Sequence, residues 1–208
     1  KASWEKSAHH FYGLEPLPQM FPLDNGEHIG LFGDIQGCTV LELACGSGHS
    51  LKYMLDRGVR KAYGLDFSKE QIKYAAELNA VHIDRGALEL LQQPMEESFD
   101  LEGIDIAYSV YGFGWSQAPE QVLRNIFVCL KPGGKFIWSW DHPLCTISAW
   151  KNGALNYTHA YKESQTLELD MFDTKVYQKV LNISAWRSFI SKSGFKIKEF
   201  IEVSAKNI

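Results

Sequence analysis

The chain has 208 residues, 45% of them hydrophobic, which is enough for one α/β domain with a single core and too few for two full-sized domains. Its formal net charge of −4 provides no basic excess to follow a phosphate backbone, so nucleic acid is not an expected partner. No apolar run of about 18 residues and no signal-peptide core are visible. We therefore expect no membrane contact. The four cysteines form no C-x-x-C pair, so we expect a cytoplasmic protein with reduced cysteines and no metal site.

Short apolar runs alternate with helix-period segments from residue 39 onward, which predicts βαβ units and a mostly parallel sheet. The first strand is predicted at 39–43 and a helix at 48–56. A second strand ends at Asp66. Ser68 and Gln71 then form an S-x-x-Q capping box that begins the second helix.

The middle of the chain continues this alternation. The predicted elements are a linker at 81–86, strands at 88–91 and 104–109, a helix from Pro119 that Lys131-Pro132-Gly133-Gly134 ends, and a fifth strand at 135–140. Residues 144–180 are rich in Tyr, Thr and Asn, with weak periodicity. We expect them to form an inserted hairpin or lid over the C-terminal edge of the sheet.

A last helix is predicted near 184–193, followed by a strand at 196–203. The expected organisation is one domain with four parts: an N-terminal lid or helical segment at 1–36, a core at 37–143, an insertion or substrate cover at 144–182, and a C-terminal helix and strand at 183–208.

The first predicted strand contains an acid, Glu42, and runs into the small-residue turn Ala44-Cys45-Gly46-Ser47-Gly48. Small residues let a ligand approach the backbone, and glycine permits the positive φ angles of a tight strand-to-helix turn. Asp66 ends the second strand, where a carboxylate can accept both hydroxyls of a ribose. This pattern predicts a site for an adenosine-containing ligand.

Four segments follow one another with suitable gaps: Val40–Gly48, Gly64–Ser68, Leu130–Gly134 and Ser193–Phe195. Together they resemble the class I S-adenosylmethionine-dependent methyltransferases, specifically a small bacterial group of methyltransferase-domain proteins. The resemblance covers almost the whole chain and implies a doubly wound, Rossmann-like, three-layer α/β/α fold. It also implies an enzyme that transfers the methyl group of S-adenosyl-L-methionine to a small-molecule acceptor by in-line displacement, leaving S-adenosyl-L-homocysteine.

The resemblance implies a role for each matching residue. Glu42 would bind the methionine ammonium, and Asp66 would hold the ribose hydroxyls. Adenine would lie near the loop after the third strand, where Pro94 stands in place of the family's common acid, so Glu96 or a backbone carbonyl would bind the adenine amino group. The implied cofactor-binding residues are Glu42, Ala44, Cys45, Gly46, Gly48, Asp66, Phe67, Met95, Glu96 and Ser109.

Candidates for the acceptor side come from position alone. His142 follows the fifth strand, at the edge where ligands bind in doubly wound sheets, so it is a candidate general base. A histidine that fixes the loop before a proline would look the same. Tyr12, Tyr111 and Trp115 are candidates for the acceptor pocket, where aromatic faces would favour the sulfonium. The aromatic segment 4–12 is either a helix that closes over the cofactor or an ordinary packed helix.

Two other functions stay open. A nicotinamide-dependent oxidoreductase also uses a glycine turn and a ribose-binding acid, but the third glycine of G-x-G-x-x-G is missing here, and Glu42 has no natural partner in a dinucleotide. A cofactor-binding regulatory or assembly protein without turnover would keep the same turn, because a fold and a cofactor motif do not prove chemistry.

Overall fold

The computed structural model describes Glu5, His9 and residues 30–171 and 174–202. A parallel sheet of five strands occupies the centre, in the order β3-β2-β1-β4-β5. Its strands are β1 Thr39–Leu43, β2 Lys61–Asp66, β3 Leu88–Gln92, β4 Ile104–Val110 and β5 Leu130–Ser139. The order reverses between β1 and β4, and ligands of open parallel sheets bind outside the C-terminal strand ends at such a point.

Helices cover both faces of this sheet. They are α1 His49–Asp56, α2 Lys69–Leu78, α3 Ala80–Asp84, α4 Pro119–Cys129, α5 Pro143–Thr146 and α6 Ile183–Lys192, with a 3₁₀ turn at Phe113–Trp115. Leu51 and Met54 of α1 pack on one face, while Leu123 of α4 and Ile190 of α6 pack on the other. The doubly wound, three-layer α/β/α fold predicted from the sequence is therefore confirmed.

Local structure differs from the prediction at several places. Residues 81–86 are not a linker: the N–H groups of His82 and Ile83 both donate to the carbonyl of Asn79, so the chain makes a further helical turn, α3. The fifth strand begins at Leu130 rather than at Lys135, because the Lys-Pro-Gly-Gly segment forms an irregularity within the strand pairing instead of a separate turn.

A further difference concerns the C-terminal strand predicted at 196–203. Residues 196–202 are largely exposed and have no strand structure. A strand needs a neighbour that pairs with its backbone groups, and none of the described strands pairs with this segment. The apolar sequence pattern of this segment was therefore not sufficient to form a strand.

An insertion of two antiparallel hairpins, rather than one, follows β5 and α5. They are β6 Ser148–Lys151 with β7 Ala154–Tyr157, and β8 Ser164–Met171 with β9 Thr174–Leu181. The β8–β9 hairpin packs against the 3₁₀ turn and α5, beside the C-terminal ends of β4 and β5. The β6–β7 hairpin is mostly exposed, and Trp150 and Tyr157 are each 70% exposed.

None of the helices in the described ranges has the length and apolarity needed to cross a membrane.

Candidate functional site

The turn after β1 combines positive φ angles with tight packing. Ala44, Gly46 and Gly48 have φ angles of 54°, 52° and 76°. A Cβ atom on Gly48 would lie 2.8 Å from Nδ2 of Asn79 and 2.9 Å from Cβ of Ala75. The Asn79 amide also donates to the carbonyl oxygen of Gly48 at 3.1 Å. The turn is thus fastened to α2, and only glycine fits at its second glycine position.

A second turn, at the end of β4, lies directly against the first. Tyr111 has a φ of 54°, a rare value for a bulky residue, and a Cβ on Gly112 would lie 2.4 Å from Cβ of Ala44. Ser109, a predicted cofactor contact, donates from Oγ to the carbonyl of Leu43 and accepts the N–H of Phe113, both at 2.9 Å. Its hydroxyl therefore holds the two turns together.

Asp66 connects the glycine turn to the start of α2. Its side chain is nearly buried; Oδ2 accepts the N–H of Gly46 and Oδ1 accepts the N–H of Ser68, each at 2.9 Å. The reciprocal half of the predicted capping box is therefore wrong: Ser68 caps Gln71, but its own N–H donates to Asp66. The N–H of Phe67 also interacts with this carboxylate. A carboxylate has about four acceptor positions, so at least one remains for a hydroxyl of a ligand.

Burial raises the pKa of the Asp66 carboxyl. The N–H groups of Ser68 and Gly46 act in the opposite direction, and the nearby charge of Glu5 raises the pKa further. The carboxylate of Glu5 itself accepts the N–H of Glu70 at 3.3 Å, which places this N-terminal residue beside the first turn of α2.

Glu42 is a second buried acid, on the face of β1 that packs against α1. It is 2% exposed and stands opposite Tyr108 of β4 in the strand register. The Tyr108 hydroxyl donates to Oε2 of Glu42 at 3.2 Å, and the Ser50 hydroxyl donates to the Tyr108 oxygen at 3.3 Å. Burial raises the pKa of Glu42 well above its ordinary value; the Ser50 and Tyr108 hydroxyls lower it, and the charge of Asp66 raises it.

The sequence interpretation missed Tyr108 and Ser50. Tyr108 lies within the apolar run of β4, where it reads as a core residue. Its polar role follows from its register with Glu42, 66 positions earlier in the chain. A phenol inside a buried strand was the only signal available, because a buried tyrosine hydroxyl usually needs a partner.

The predicted adenine loop after β3 is firmly anchored. The N–H of Gln93 donates to the carbonyl of Asp66 at 3.0 Å, which places the start of the loop beside Asp66 and the partly exposed Phe67. The Asn125 amide of α4 donates to the carbonyl groups of the next part of the loop, those of Met95, Glu96 and Glu97, at 3.2, 3.2 and 2.9 Å. Met95 is buried in the core, and Oε1 of Glu96 accepts the Ser116 hydroxyl at 2.7 Å.

An aromatic group lies past the C-terminal ends of β4 and β5. The ring centroids of Trp115 and Trp140 are 5.3 Å apart at 85°, and those of Tyr111 and Trp140 are 6.3 Å apart. The Trp140 ring lies against Gly114, where a Cβ would be 1.9 Å from it. Trp140 thus brings the two predicted pocket residues together, while Tyr12 lies outside the described residues.

His142 has a partner at each ring nitrogen. Its Nδ1 accepts the N–H of Leu144 at 3.2 Å, which caps α5, and its Nε2 lies 3.3 Å from Oε1 of Glu202. A neutral imidazole that accepts at Nδ1 carries its proton on Nε2, where it can donate to Glu202. This arrangement fits a histidine that fixes its loop, and the role of general base stays a prediction.

Comparisons with known proteins agree with this geometry. Residues 41–138 match a family described as "Methyltransferase domain". The chain is 34% identical over 129 residues to the demethylmenaquinone methyltransferase of Lactococcus lactis, covering 55% of this chain and 47% of that protein. It is 34% identical over 101 residues to the malonyl-[acyl-carrier protein] O-methyltransferase of Pectobacterium atrosepticum, covering 47% of this chain and 36% of that protein.

A similar fold is found in the crystal structure of an S-adenosylmethionine-dependent methyltransferase from Mesorhizobium loti. The TM-score is 0.71 with 20% sequence identity, over 79% of this chain and 77% of that chain. The present chain matches about half, or less, of the length of the two curated relatives, and their names indicate different methyl acceptors.

Proposed function

We propose that the chain is a class I S-adenosylmethionine-dependent methyltransferase that methylates a small-molecule acceptor; the family match over residues 41–138 and the similar fold support this. The observation that carries this proposal is the meeting of two buried acids, Glu42 and Asp66, at a glycine turn between β1 and α1. A nucleoside with an amino-acid tail needs one acid for its ribose hydroxyls and another for its ammonium. A dinucleotide has no ammonium for Glu42.

The residues present fit S-adenosyl-L-methionine. Asp66 would accept the ribose hydroxyls, and Glu42 would bind the ammonium. The backbone of Ala44, Cys45, Gly46 and Gly48 would line the methionine and ribose, because the turn has small residues. Phe67, Met95 and Glu96 would contact adenine, and Ser109 would act indirectly by holding the two turns together.

The acceptor is expected on the aromatic side of the site. When bound, S-adenosyl-L-methionine supplies a methyl group that the sulfonium charge has already activated. The protein then has mainly to align the acceptor with it, which can lower a barrier by about 7–11 kcal/mol. Tyr111, Trp115 and Trp140 would present apolar ring faces to an acceptor and favour the sulfonium. The net negative charge of the chain supports a small molecule over nucleic acid.

A general base is required only if the acceptor must lose a proton. We propose His142 for that role, with Glu202 as the group that would stabilise the protonated ring. A base would have to release Leu144 from Nδ1 or exchange Glu202 at Nε2 for the acceptor. His142→Asn, which keeps a side-chain cap for α5, would separate the two roles once an acceptor is known.

Calorimetric titration of the whole chain with S-adenosyl-L-methionine, S-adenosyl-L-homocysteine and NAD tests the cofactor. We expect the first two to bind in the micromolar range and Asp66→Ala to weaken both by about 100-fold, because hydrogen bonds to a charged group contribute about 1.5–3 kcal/mol each. Asp170→Ala is the matched control, since that carboxylate on β8 is 89% exposed and belongs to a separate two-stranded sheet. Binding of NAD alone, or of none of the three, would overturn the proposal.

A further inference from the structure

The carboxyl group of Glu42 is enclosed by groups that cannot neutralise a negative charge. Its polar neighbours are the hydroxyls of Tyr108 and Ser50, two side chains that are 0% and 1% exposed. Within the described ranges, no Lys, Arg or His side chain forms an ion pair with Glu42. A buried carboxylate without a cation is strongly unfavourable, and such a group takes up a proton instead.

The titratable groups that face Glu42 strengthen this effect. Asp66 faces it from the end of β2, Cys45 from the turn, and Tyr108 from β4, while α1 contributes Ser50. A negative charge on Asp66 disfavours a second one on Glu42, and neither the thiol nor the phenol carries positive charge in any state. Among the described residues, Glu42 therefore has no positively charged neighbour that could compensate an ionised carboxylate.

We propose that Tyr108 and Ser50 position Glu42 as a neutral carboxylic acid in the cofactor-free protein, and that the ammonium of the cofactor replaces the carboxyl proton on binding. This inference rests on the proposed function, because it assigns the amino-acid end of the ligand to Glu42. The O–H bond of the Glu42 carboxyl breaks, the proton leaves to the solvent, and the carboxylate pairs with the ammonium. No other bond changes.

Tyr108 is a positioning residue in this scheme. Its hydroxyl donates to one oxygen of Glu42, and Ser50 in turn donates to the Tyr108 oxygen, which orients that hydroxyl. A carboxylate has about four acceptor positions, so Glu42 keeps acceptor capacity for the ammonium beside these hydroxyls. The phenol stays protonated because burial raises the pKa of Tyr108 well above its usual range.

Proton release can be measured without turnover. S-adenosyl-L-homocysteine is titrated at pH 6.5 in two buffers of different ionisation enthalpy, and the difference in apparent binding enthalpy gives the number of protons released. At that pH the ligand's amino group is already protonated, because its own carboxylate keeps its pKa above that of a peptide N-terminus, so the released proton comes from the protein. We expect release of about one proton per ligand bound.

The matched control ligand is 5′-methylthioadenosine, which keeps the nucleoside and thioether but has no ammonium. We expect it to bind without releasing a proton. If S-adenosyl-L-homocysteine binds but releases no more protons than this control, the inference is overturned and the cofactor assignment stays intact. Failure of both ligands to bind would instead contradict the proposed function.

Two variants test the residues themselves. Glu42→Gln should abolish proton release and weaken S-adenosyl-L-homocysteine at least 10-fold while leaving 5′-methylthioadenosine within about 2-fold. Tyr108→Phe should move the pH dependence of S-adenosyl-L-homocysteine affinity to higher pH, because the ionised form of Glu42 loses a donor. Tyr157→Phe on the exposed β7 should change neither ligand.

If Tyr108 only supported the fold, its replacement would have a different effect on the two ligands. Its loss would weaken both ligands by the same factor and leave the pH profile of S-adenosyl-L-homocysteine affinity unmoved, and that result would overturn the positioning role.

Discussion

Gly48 and Gly153 both adopt left-handed backbone angles, with φ values of 76° and 74°, yet their surroundings are opposite. A side chain on Gly48, in the turn after β1, would collide with α2. At Gly153, in the β6–β7 turn, no described residue other than the two chain neighbours has an atom within 4 Å of the position that a Cβ would take. Gly153 is needed for its backbone angle alone. Gly48 is needed for its backbone angle and also because α2 leaves no room for a side chain.

The acids of the two regions differ in the same way. Glu42 and Asp66 are buried beside the turn after β1, and burial raises the pKa of both. Glu168 of the β8–β9 hairpin is paired with Lys175 and Tyr177, which lower its pKa. The turn region therefore holds its acids in an unfavourable environment that a cationic ligand would relieve, and the insertion does not.

The comparison of the two glycines predicts the largest effect. Gly48→Ala should destabilise the protein by about 2–5 kcal/mol, the sum of about 1–2 for the left-handed backbone and about 1–3 for overpacking against Asn79 and Ala75. Gly153→Ala should show only the backbone part. Urea unfolding of both variants measures the difference, and equal losses would show that packing against α2 does not restrict Gly48.

The comparison of the acids predicts a pH effect on the cofactor-free protein. A carboxyl group whose pKa is raised on folding stabilises the folded state below its unfolded pKa, about 4.3 for Glu, and this stabilisation is lost as pH rises through the folded pKa. As pH rises from about 5.5 to about 7.5, the free energy of unfolding should therefore fall less in Glu42→Gln than in the parent chain. Urea unfolding at the two pH values tests this.

Glu168→Gln serves as the control of opposite sign. The pKa of Glu168 is lowered, so its contribution is present at neutral pH and disappears only as pH falls through the folded value. Identical pH slopes for the parent and Glu42→Gln would contradict the assignment of Glu42 as a neutral acid.

The smallest effect is expected from removing the exposed hairpin. The N–H of Thr158 donates to the carbonyl of Ile147 at 2.7 Å, so residues 148–157 can be replaced by an Asn-Gly linker across a short gap. We expect the affinity for S-adenosyl-L-homocysteine to stay within about 2-fold, because this hairpin buries little apolar surface. A loss above about 10-fold would show that the two regions are coupled.

Prediction from sequence succeeded where a few consecutive residues carry the whole signal. The buried run of β1, the glycine turn and the N-cap at Ser68 each depend on residues close together in the chain. Prediction failed where a segment's structure depends on a packing or pairing partner that is distant in the chain or is lacking. Residues 196–202 were predicted as part of a strand but pair with none of the described strands. Trp140 was predicted as the last residue of the fifth strand, but that strand ends at Ser139 and Trp140 lies against Gly114 beside the site.

The sequence by itself determined how strands and helices alternate along the central part of the chain. It also determined the turn that can accommodate a nucleoside and the two acids beside it, because backbone sterics and hydrophobic periodicity act over short stretches of chain. Only the tertiary structure decided what those acids face. β1 and β4 become neighbours where the strand order reverses, and that places Tyr108 against Glu42 across 66 residues of chain. The ionisation of a buried acid depends on such neighbours, which local sequence patterns do not encode.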